Sequence, residues 1–370
     1  MIQYLISSMG VMKVYPKVII DMIDALVEQV YDKIKDFRKD EGVQINREGI
    51  REWAEQFGND AEFMLSETLN ILVKTYLTKD EAIDLFRNYI DEHLKRYKYN
   101  DIVKYLQDVC YLRLQPEGKS QNIIVDMVED IIRTDYGLEV EDYADYPKKL
   151  FIYFDDVLIT GGTLANDLSS WINEANRKDD LNSHKIKLEV DLIVEHRFGL
   201  NMMLYRLEKA TCKGLNTGNI HIRYYYEVEN HLKLPYVFGG QKLNAVAIPI
   251  KETLSPNAVQ YWTNLNADRH PDYAFRPENR PVEEMYFTSA ENRIRFERIL
   301  VEKGLFIINQ IQGEVKGNVR PLGFIYPSYK TLGVGSLFFT WRNVPNNSPL
   351  VFWWDVPGHN WKPLFPAKRG

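Results

Sequence analysis

Two adjacent acidic residues, Asp155 and Asp156, follow an apolar run and precede a turn rich in glycine and threonine. The whole stretch, residues 150–168, reads LFIYFDDVLITGGTLANDL, and its turn consists of Thr160, Gly161, Gly162 and Thr163. Glycines let the backbone approach an anion closely, and the threonines add hydroxyl donors. The N–H groups at the start of the following helix would complete a cradle for a phosphate.

The two carboxylates need a different partner from the phosphate, because they would repel it at close range. They would fit the hydroxyls of a ribose, bound directly or through Mg²⁺, with the phosphate several ångström away on the turn. We therefore expect Asp155 and Asp156 to be the catalytic acids and the Mg²⁺ ligands of the site. The alternative interpretation is a strand that ends in two solvated acids and a glycine turn that only reverses the chain.

A second loop lies upstream, at residues 115–121, and reads QPEGKSQ. Gly118, Lys119 and Ser120 offer a flexible backbone, a cation and a hydroxyl that could bind a diphosphate. The ATP-binding pattern G-x-x-x-x-G-K-[ST] would need glycine where Arg113 stands, which excludes a Walker A loop. Alone, the segment could be a surface turn, and its place upstream of the acidic stretch favours phosphate binding.

Strands and helices must position these loops, and the pattern from residue 109 onward alternates between the two. The predicted elements are strands over 110–114, 150–154, 186–194 and 219–226, and helices over 123–132, 164–172 and 198–211. Such alternation predicts an α/β fold with a mostly parallel sheet covered on both faces. Ligands of these sheets bind beyond the carboxyl ends of the strands.

The composition divides the chain into three predicted segments: an N-terminal helical region at 1–107, a core at 108–235 and a C-terminal cap at 236–370. Apolar residues three and four apart predict several helices in the first segment, one of them capped by Asn46. The last segment carries a net charge of +5, 12 of the 16 prolines and five of the seven tryptophans. We expect one helix there, near 288–303, and strands over 246–250 and 336–341.

Several classes of protein are disfavoured by what the sequence lacks. No apolar run reaches about 18 residues, and the N-terminus has no signal-peptide pattern, so we expect a cytoplasmic protein without a membrane segment. Cys110 and Cys212 are too few for a disulfide framework, and the seven histidines have no zinc spacing. No G-x-S-x-G elbow indicates a serine hydrolase.

Other polar residues have both a functional and a structural interpretation. Arg342, Asn346 and Asn347 could contact a base, a ribose or a pyrophosphate, or could satisfy backbone groups in an irregular turn. Trp353 and Trp354 could stack on a base or lie in a core and an interface.

The residues at the end of one predicted strand, Glu195, His196 and Arg197, lie near the expected ligand crevice. They are candidates for a role in the site, although burial beside the sheet would explain them equally. Arg113 is placed similarly, near the end of the first predicted strand, and could pair with a phosphate or with an acid.

Several motifs together resemble the phosphoribosyltransferase-like domain of bacterial conflict systems, the PRTase-CE type. They are REWAEQF at 51–57, QPEGKS at 115–120, DDVLITGGT at 155–163 and TWRNVPNNSP at 340–349, followed by Trp353 and Trp354. The DDVLITGGT string resembles the loop with which type I phosphoribosyltransferases bind 5-phosphoribosyl 1-pyrophosphate. One departure is Gln121, where the pattern leads us to expect glycine.

This resemblance implies a type I phosphoribosyltransferase fold that binds 5-phosphoribosyl 1-pyrophosphate or a ribose-phosphate nucleotide with Mg²⁺. It implies a reaction at C1′, either phosphoribosyl transfer or cleavage of an N-glycosidic bond. It also implies an effector of antiphage defence, whose partners would be other defence proteins or the reverse transcriptase and nucleic acid of a retron.

Two alternatives of different class stay open. The domain could sense a nucleotide or dock on a partner without turnover. The basic, aromatic C-terminal segment could bind nucleic acid directly, in which case affinity would fall steeply with salt.

Overall fold

The computed structural model describes residues 2–6, 12–174, 177–211, 214–230 and 242–367. In this part of the chain the strands are β1 Ile2–Ile6, β2 Met12–Pro16, β3 Tyr76–Leu77, β4 Val109–Tyr111, β5 Leu150–Leu158, β6 Lys187–His196, β7 Ile220–Val228 and β8 Phe339–Thr340. The α-helices are α1 Lys17–Ile34, α2 Arg47–Glu55, α3 Ala61–Thr75, α4 Lys79–Arg96, α5 Ile102–Asp108, α6 Ser120–Tyr136, α7 Gly162–Asn173, α8 Arg177–Asn182, α9 Arg197–Ala210, α10 Pro256–Thr263, α11 Ala290–Ile308 and α12 Leu350–Trp353. None of these helices is both long and apolar enough to span a membrane.

The chain forms two compact units, and each is assembled differently from the predicted segments. One unit covers residues 79–230, so α4 and α5, which we expected in the N-terminal helical region, belong with the sheet. The other unit joins residues up to Thr78 with those from 242 onward. The physical reason is tertiary packing between distant segments, which periodicity along the chain does not reveal.

The 79–230 unit is built on a four-stranded sheet in the order β4-β5-β6-β7, and all three pairings are parallel. Helix α6 connects β4 to β5, α7 and α8 connect β5 to β6, and α9 connects β6 to β7. The predicted α/β class and its mostly parallel sheet are therefore confirmed. Because the strands are parallel, their carboxyl ends lie along one edge, and the loops that follow β4, β5 and β6 meet there.

Helices cover both faces of this sheet. Phe151 packs against Trp171 of α7, with 5.0 Å between ring centroids. Three residues later, Phe154 points to the other face and packs against Phe86 of α4 at 5.6 Å. This alternation, together with full burial of Phe154, explains why β5 reads as a nearly continuous apolar run.

The core of the other unit joins the first and last parts of the chain. Trp53 of α2 is fully buried, stacks on Phe352 of α12 with centroids 5.9 Å apart, and donates its Nε1–H to the carbonyl of Val351 at 2.9 Å. Helix α2 begins as predicted, because the Asn46 side chain accepts a hydrogen bond from the backbone N–H of Gly49.

Most of the chain after 242 is irregular. The helix expected near 288–303 is α11, which runs from Ala290 to Ile308, whereas α10 and α12 were not expected. The strand expected over 246–250 is wrong: Val246 makes a single antiparallel bridge to Ser336. Pro249 explains part of this difference, because proline has no N–H to donate to a ladder. The strand expected over 336–341 is reduced to β8, which pairs with β3 in parallel.

A buried polar cluster lies on the α4 side of the sheet. The Arg223 guanidinium donates to both carboxylate oxygens of Asp191, at 2.9 and 2.8 Å, and lies 3.3 Å from Glu189. His93 Nε2 also lies 2.8 Å from Asp191. Although burial opposes it, His93 and Arg223 hold the pKa of Asp191 below its usual range. The His93, Glu189 and Asp191 atoms are close enough to share a metal ion, but Arg223 already supplies the positive charge.

We predict that Arg223→Met lowers the free energy of unfolding by about 3–5 kcal/mol, because it leaves Asp191 and Glu189 buried without their cation. The matched control is Arg87→Met, which removes an exposed pair with Asp135 and should cost no more than about 1 kcal/mol. Urea titration of both variants measures the difference. Equal losses for the two would contradict the stabilising role of Arg223.

Candidate functional site

The turn after β5 leads directly into α7 and has the geometry of an anion site. Gly161 occupies the N-cap position with φ of 73°, and no side chain caps the helix. The first N–H groups of α7 have no partner within the helix, and the helix dipole places partial positive charge there. This arrangement can hold a phosphate.

Glycine is required at position 161 for a second reason. A Cβ there would lie 2.4 Å from the carbonyl oxygen of Gly199 and 2.8 Å from the backbone nitrogen of Met203. Helix α9 therefore packs directly against the turn. Gly199 has the same constraint in return, because its own Cβ would lie 2.4 Å from the carbonyl of Ile159.

The acidic pair lies within β5, which extends to Leu158 instead of ending at Phe154 as expected. Asp155 and Asp156 are buried, with 8% and 5% of their surface exposed. Asp155 Oδ1 accepts the N–H of Asp156 at 2.9 Å, and Asp156 Oδ1 accepts the N–H of Val157 at 2.7 Å. The carboxyl groups of Asp155 and Asp156 also interact directly with each other.

The upstream loop contacts β5 at Asp155. Ser120 Oγ, at the start of α6, donates to Asp155 Oδ1 at 3.0 Å, and Gln115 Nε2 donates to Asp155 Oδ2 at 3.2 Å. Gly118 and Lys119 are exposed between them, and Gly118 has φ of 79°. The upstream loop is thus fixed to the acidic strand by its two ends, while its tip faces solvent.

Gln121 explains the departure from the expected glycine. Its Oε1 accepts the backbone N–H groups of Leu114, at 2.8 Å, and of Gln115, at 2.9 Å. Asn122 supports the same loop by donating to the carbonyls of Gln115 and Pro116. Two amides that a flexible loop could offer to an anion are therefore committed to shaping it.

The electrostatics around Asp155 fit a bound cation. Burial, and then repulsion by Asp156, raise the pKa of Asp155 well above its usual range. A divalent cation beside the pair would offset both effects, and carboxylate oxygens are the ligands that Mg²⁺ prefers. The donor set at the end of β5 is thus chemically suited to Mg²⁺.

Sequence reasoning missed Tyr153 and Asp167, two residues that are linked to Asp155 through Gln115. Tyr153 donates its hydroxyl to Asp167 Oδ2 of α7 at 2.7 Å. Gln115 Nε2 lies 2.7 Å from the same hydroxyl and 3.2 Å from Asp167. The available signal was spacing, because Tyr153 is two residues before Asp155 and must share its face of the strand.

The end of β6 carries the candidates Glu195, His196 and Arg197. Glu195 is fully buried, and neither of its carboxylate oxygens has a hydrogen-bond partner among the described residues. Burial raises the pKa of Glu195 to about 7 and lowers the pKa of His196 to about 3. Arg197 lies 3.8 Å from Glu195 and bonds instead to Glu227.

The remaining candidates are occupied by structural contacts. Arg113, at the end of β4, pairs with Asp126 and Glu129 of α6, both at 2.7 Å. Arg342 pairs with Glu41 at 2.8 Å, in the unit that contains the two chain ends.

The neighbouring amides of that C-terminal loop also bond within its own unit. Asn347 donates to the carbonyl of Phe324, whose N–H bonds to the carbonyl of Asn346. Trp353 donates to Ser348, and Trp354 to His359. Contacts of Arg342, Asn346 and Asn347 with a base or pyrophosphate stay predictions. Cys212 lies outside the described residues.

Comparison with known families adds to this geometry. The model of the PRTase-CE family matches residues 50–367. The chain belongs to the PRTase-CE family. No curated protein and no solved structure matches it. The phosphoribosyltransferase-like character expected from the motifs is thereby confirmed, and it extends over both compact units.

We predict that Gly161→Ala destabilises the protein by roughly 2–4 kcal/mol, since the new Cβ meets backbone atoms and the positive φ is strained. Gly118→Ala is the matched control: its φ is also positive, but nothing lies within 4 Å of the added Cβ. The control should cost only about 1 kcal/mol. Thermal unfolding of both variants measures this, and equal losses would contradict the packing of α9 on the turn.

We predict that Glu195→Gln stabilises the protein at high pH only. The pKa of Glu195 rises from 4.5 to about 7 on folding, so the folded state holds its proton more tightly than the unfolded state. Stability of the natural protein therefore falls as pH rises from 4.5 to about 7. The variant lacks this loss and should be more stable at pH 8 by up to about 3 kcal/mol, with no difference at pH 4.5. Urea titration at both pH values measures the difference in free energy of unfolding between the variant and the natural protein. A difference that does not change with pH would contradict the burial of an ionisable group.

Proposed function

We propose that residues 79–230 bind 5-phosphoribosyl 1-pyrophosphate, or a related ribose-phosphate nucleotide, together with Mg²⁺ and act at C1′. In this proposal the turn at 160–163 holds the 5′-phosphate, and Asp155 and Asp156 bind the ribose hydroxyls. Gly118, Lys119 and Ser120 hold the pyrophosphate. The single observation that carries the proposal is the hydrogen bond from Ser120 to Asp155, because it joins the upstream loop to the strand that leads into the 160–163 turn.

The distribution of charge supports this division of roles. The start of α7 offers uncapped N–H groups for a phosphate. The carboxylates of Asp155 and Asp156 lie in β5, just before the 160–163 turn, where they can accept hydrogen bonds from hydroxyls. Lys119 is exposed beside Ser120 and can reach an anionic group in solution. Mg²⁺, when bound, would neutralise charge on the pyrophosphate oxygens.

The proposed reaction needs orientation more than acid-base chemistry. The bond from C1′ to the pyrophosphate oxygen breaks, and its electron pair leaves with pyrophosphate, while a nitrogen nucleophile forms the new bond to C1′. The turn and the acids would hold the ribose in position for this exchange, and donors of the upstream loop would stabilise the departing charge. Cleavage of an N-glycosidic bond would use the same arrangement with water as the nucleophile.

The biological setting is a separate part of the proposal. The resemblance of the motifs implies an effector of antiphage defence, which acts with other defence proteins or with the reverse transcriptase of a retron. Only this resemblance supports the setting. Expression of the natural protein and of the Asp155→Asn, Asp156→Asn variant with its neighbouring genes during phage infection would test it.

We predict that the purified protein binds 5-phosphoribosyl 1-pyrophosphate with MgCl₂, and that Asp155→Asn combined with Asp156→Asn weakens binding about 100-fold or more. The estimate assumes the loss of hydrogen bonds to charged groups, each about 1.5–3 kcal/mol. Isothermal titration calorimetry measures the affinity. Asp130→Asn is the control, because Asp130 is an exposed acid that pairs with Arg133. Unchanged affinity of the double variant would contradict the proposal.

Release of pyrophosphate separates an enzyme from a binding module. If the natural protein binds the compound and releases pyrophosphate in the presence of a nitrogen acceptor, the proposed reaction is supported. Tight binding without release under any acceptor would support the alternative, a nucleotide-sensing module.

A further inference from the structure

Glu195 is a buried carboxylate that the proposed phosphate, ribose and pyrophosphate contacts leave unused. Its side chain is fully buried, and both oxygens lack a hydrogen-bond partner among the residues that the structure describes. A carboxylate can only accept hydrogen bonds, and leaving a buried polar group unsatisfied costs free energy. Such groups in native proteins call for an explanation, and a role in ligand binding is one.

The surroundings of Glu195 do not supply the missing donors. Within the described part of the chain, the cation paired with Glu195 is Arg197, whose Nε lies 3.8 Å from Oε1, beyond hydrogen-bond distance. The Nε–H of Arg197 donates instead to Glu227 at 2.9 Å, and Tyr224 also donates to Glu227. Two carboxylates therefore share one guanidinium, and Glu195 is the one without hydrogen bonds.

The position of Glu195 connects it to the candidate site. Glu195 pairs in register with Leu158, the last residue of β5, and Gly161 follows only three residues later. Three residues span at most about 10 Å, and neighbouring strands are about 5 Å apart. A mononucleotide whose phosphate lies on the turn could place its base at Glu195.

We propose that Glu195 determines base specificity by accepting two neighbouring N–H donors from a nucleobase edge of the guanine type. This inference rests on the proposed function, since it assumes that a phosphate lies at the 160–163 turn. The two oxygens of a carboxylate match a ring N–H and an adjacent amino group, and both donors would be satisfied in one contact. Adenine presents a ring acceptor beside its amino group, so one Glu195 oxygen would face a lone pair.

Binding at Glu195 requires a local rearrangement, because its side chain is covered without ligand. The ligand must displace the atoms that cover the end of β6. The hydrogen bonds that Glu195 then accepts compensate for the free energy of that displacement. A base without two neighbouring donors forms fewer of these bonds and compensates less. Discrimination should therefore appear in affinity.

The test compares ribose 5-phosphate, GMP and AMP as probes of the natural protein, Glu195→Gln and the control Glu227→Gln, by calorimetry with MgCl₂. The natural protein should bind GMP more tightly than AMP. Glu195→Gln should weaken GMP binding about 5- to 150-fold, the range for one bidentate base contact. The same variant should not change the affinity for ribose 5-phosphate. It should not weaken the binding of AMP, since glutamine can pair with adenine. Glu227→Gln should change GMP affinity less than threefold.

The outcomes separate this inference from the proposed function. Two results would overturn the role of Glu195 and leave the proposed function standing. In the first, ribose 5-phosphate binds but GMP binds no more tightly than AMP. In the second, Glu195→Gln leaves the affinity for GMP unchanged. If no probe binds the natural protein, the proposed function fails and this inference fails with it. Thermal unfolding checks the fold of Glu195→Gln, which is expected to be at least as stable as the natural protein.

Discussion

A hydrogen bond between Ser120, at the start of α6, and Asp155, within β5, joins the upstream loop of the candidate site to the acidic strand. Asp155 is buried beside a second acid, and burial of a carboxylate is unfavourable unless donors compensate. Ser120, Gln115 and the backbone N–H of Asp156 supply those donors. Because two of the three belong to the upstream loop, satisfying Asp155 also fixes that loop against β5.

Among the described residues, the buried carboxyls of Asp155 and Glu195 lack a cation within hydrogen-bond distance, whereas the buried Asp191 has one. Asp191 has Arg223 and His93 as partners, and its pKa is low. Asp155 and Glu195 have raised pKa values for the opposite reason, because burial favours their neutral forms. Perturbed carboxyls at one edge of a sheet are typical of sites that bind ligands. The direction of the pKa shift thus distinguishes Asp191, in the structural polar cluster, from Asp155 and Glu195 in the candidate site.

Local signals in the sequence predicted the parts of the fold that depend on local physics. The alternating apolar residues of β6 and the glycine turn before α7 were predictable, because pattern and conformational freedom act over a few residues. Asn46 as a helix cap is of the same kind. The division into two units was not predictable, because it depends on contacts such as Trp53 with Val351, almost 300 residues apart. Gln121 was an anomaly in sequence, and only its bonds to the Leu114 and Gln115 amides explain it.

The most direct measurement of the central claim is a crystal structure of the protein with 5-phosphoribosyl 1-pyrophosphate and Mg²⁺. The account predicts the 5′-phosphate within hydrogen-bond distance of the backbone N–H groups at the start of α7, and the ribose hydroxyls against Asp155 or Asp156. A 5′-phosphate bound elsewhere on the protein, with the α7 start and both acids free of ligand, would contradict it.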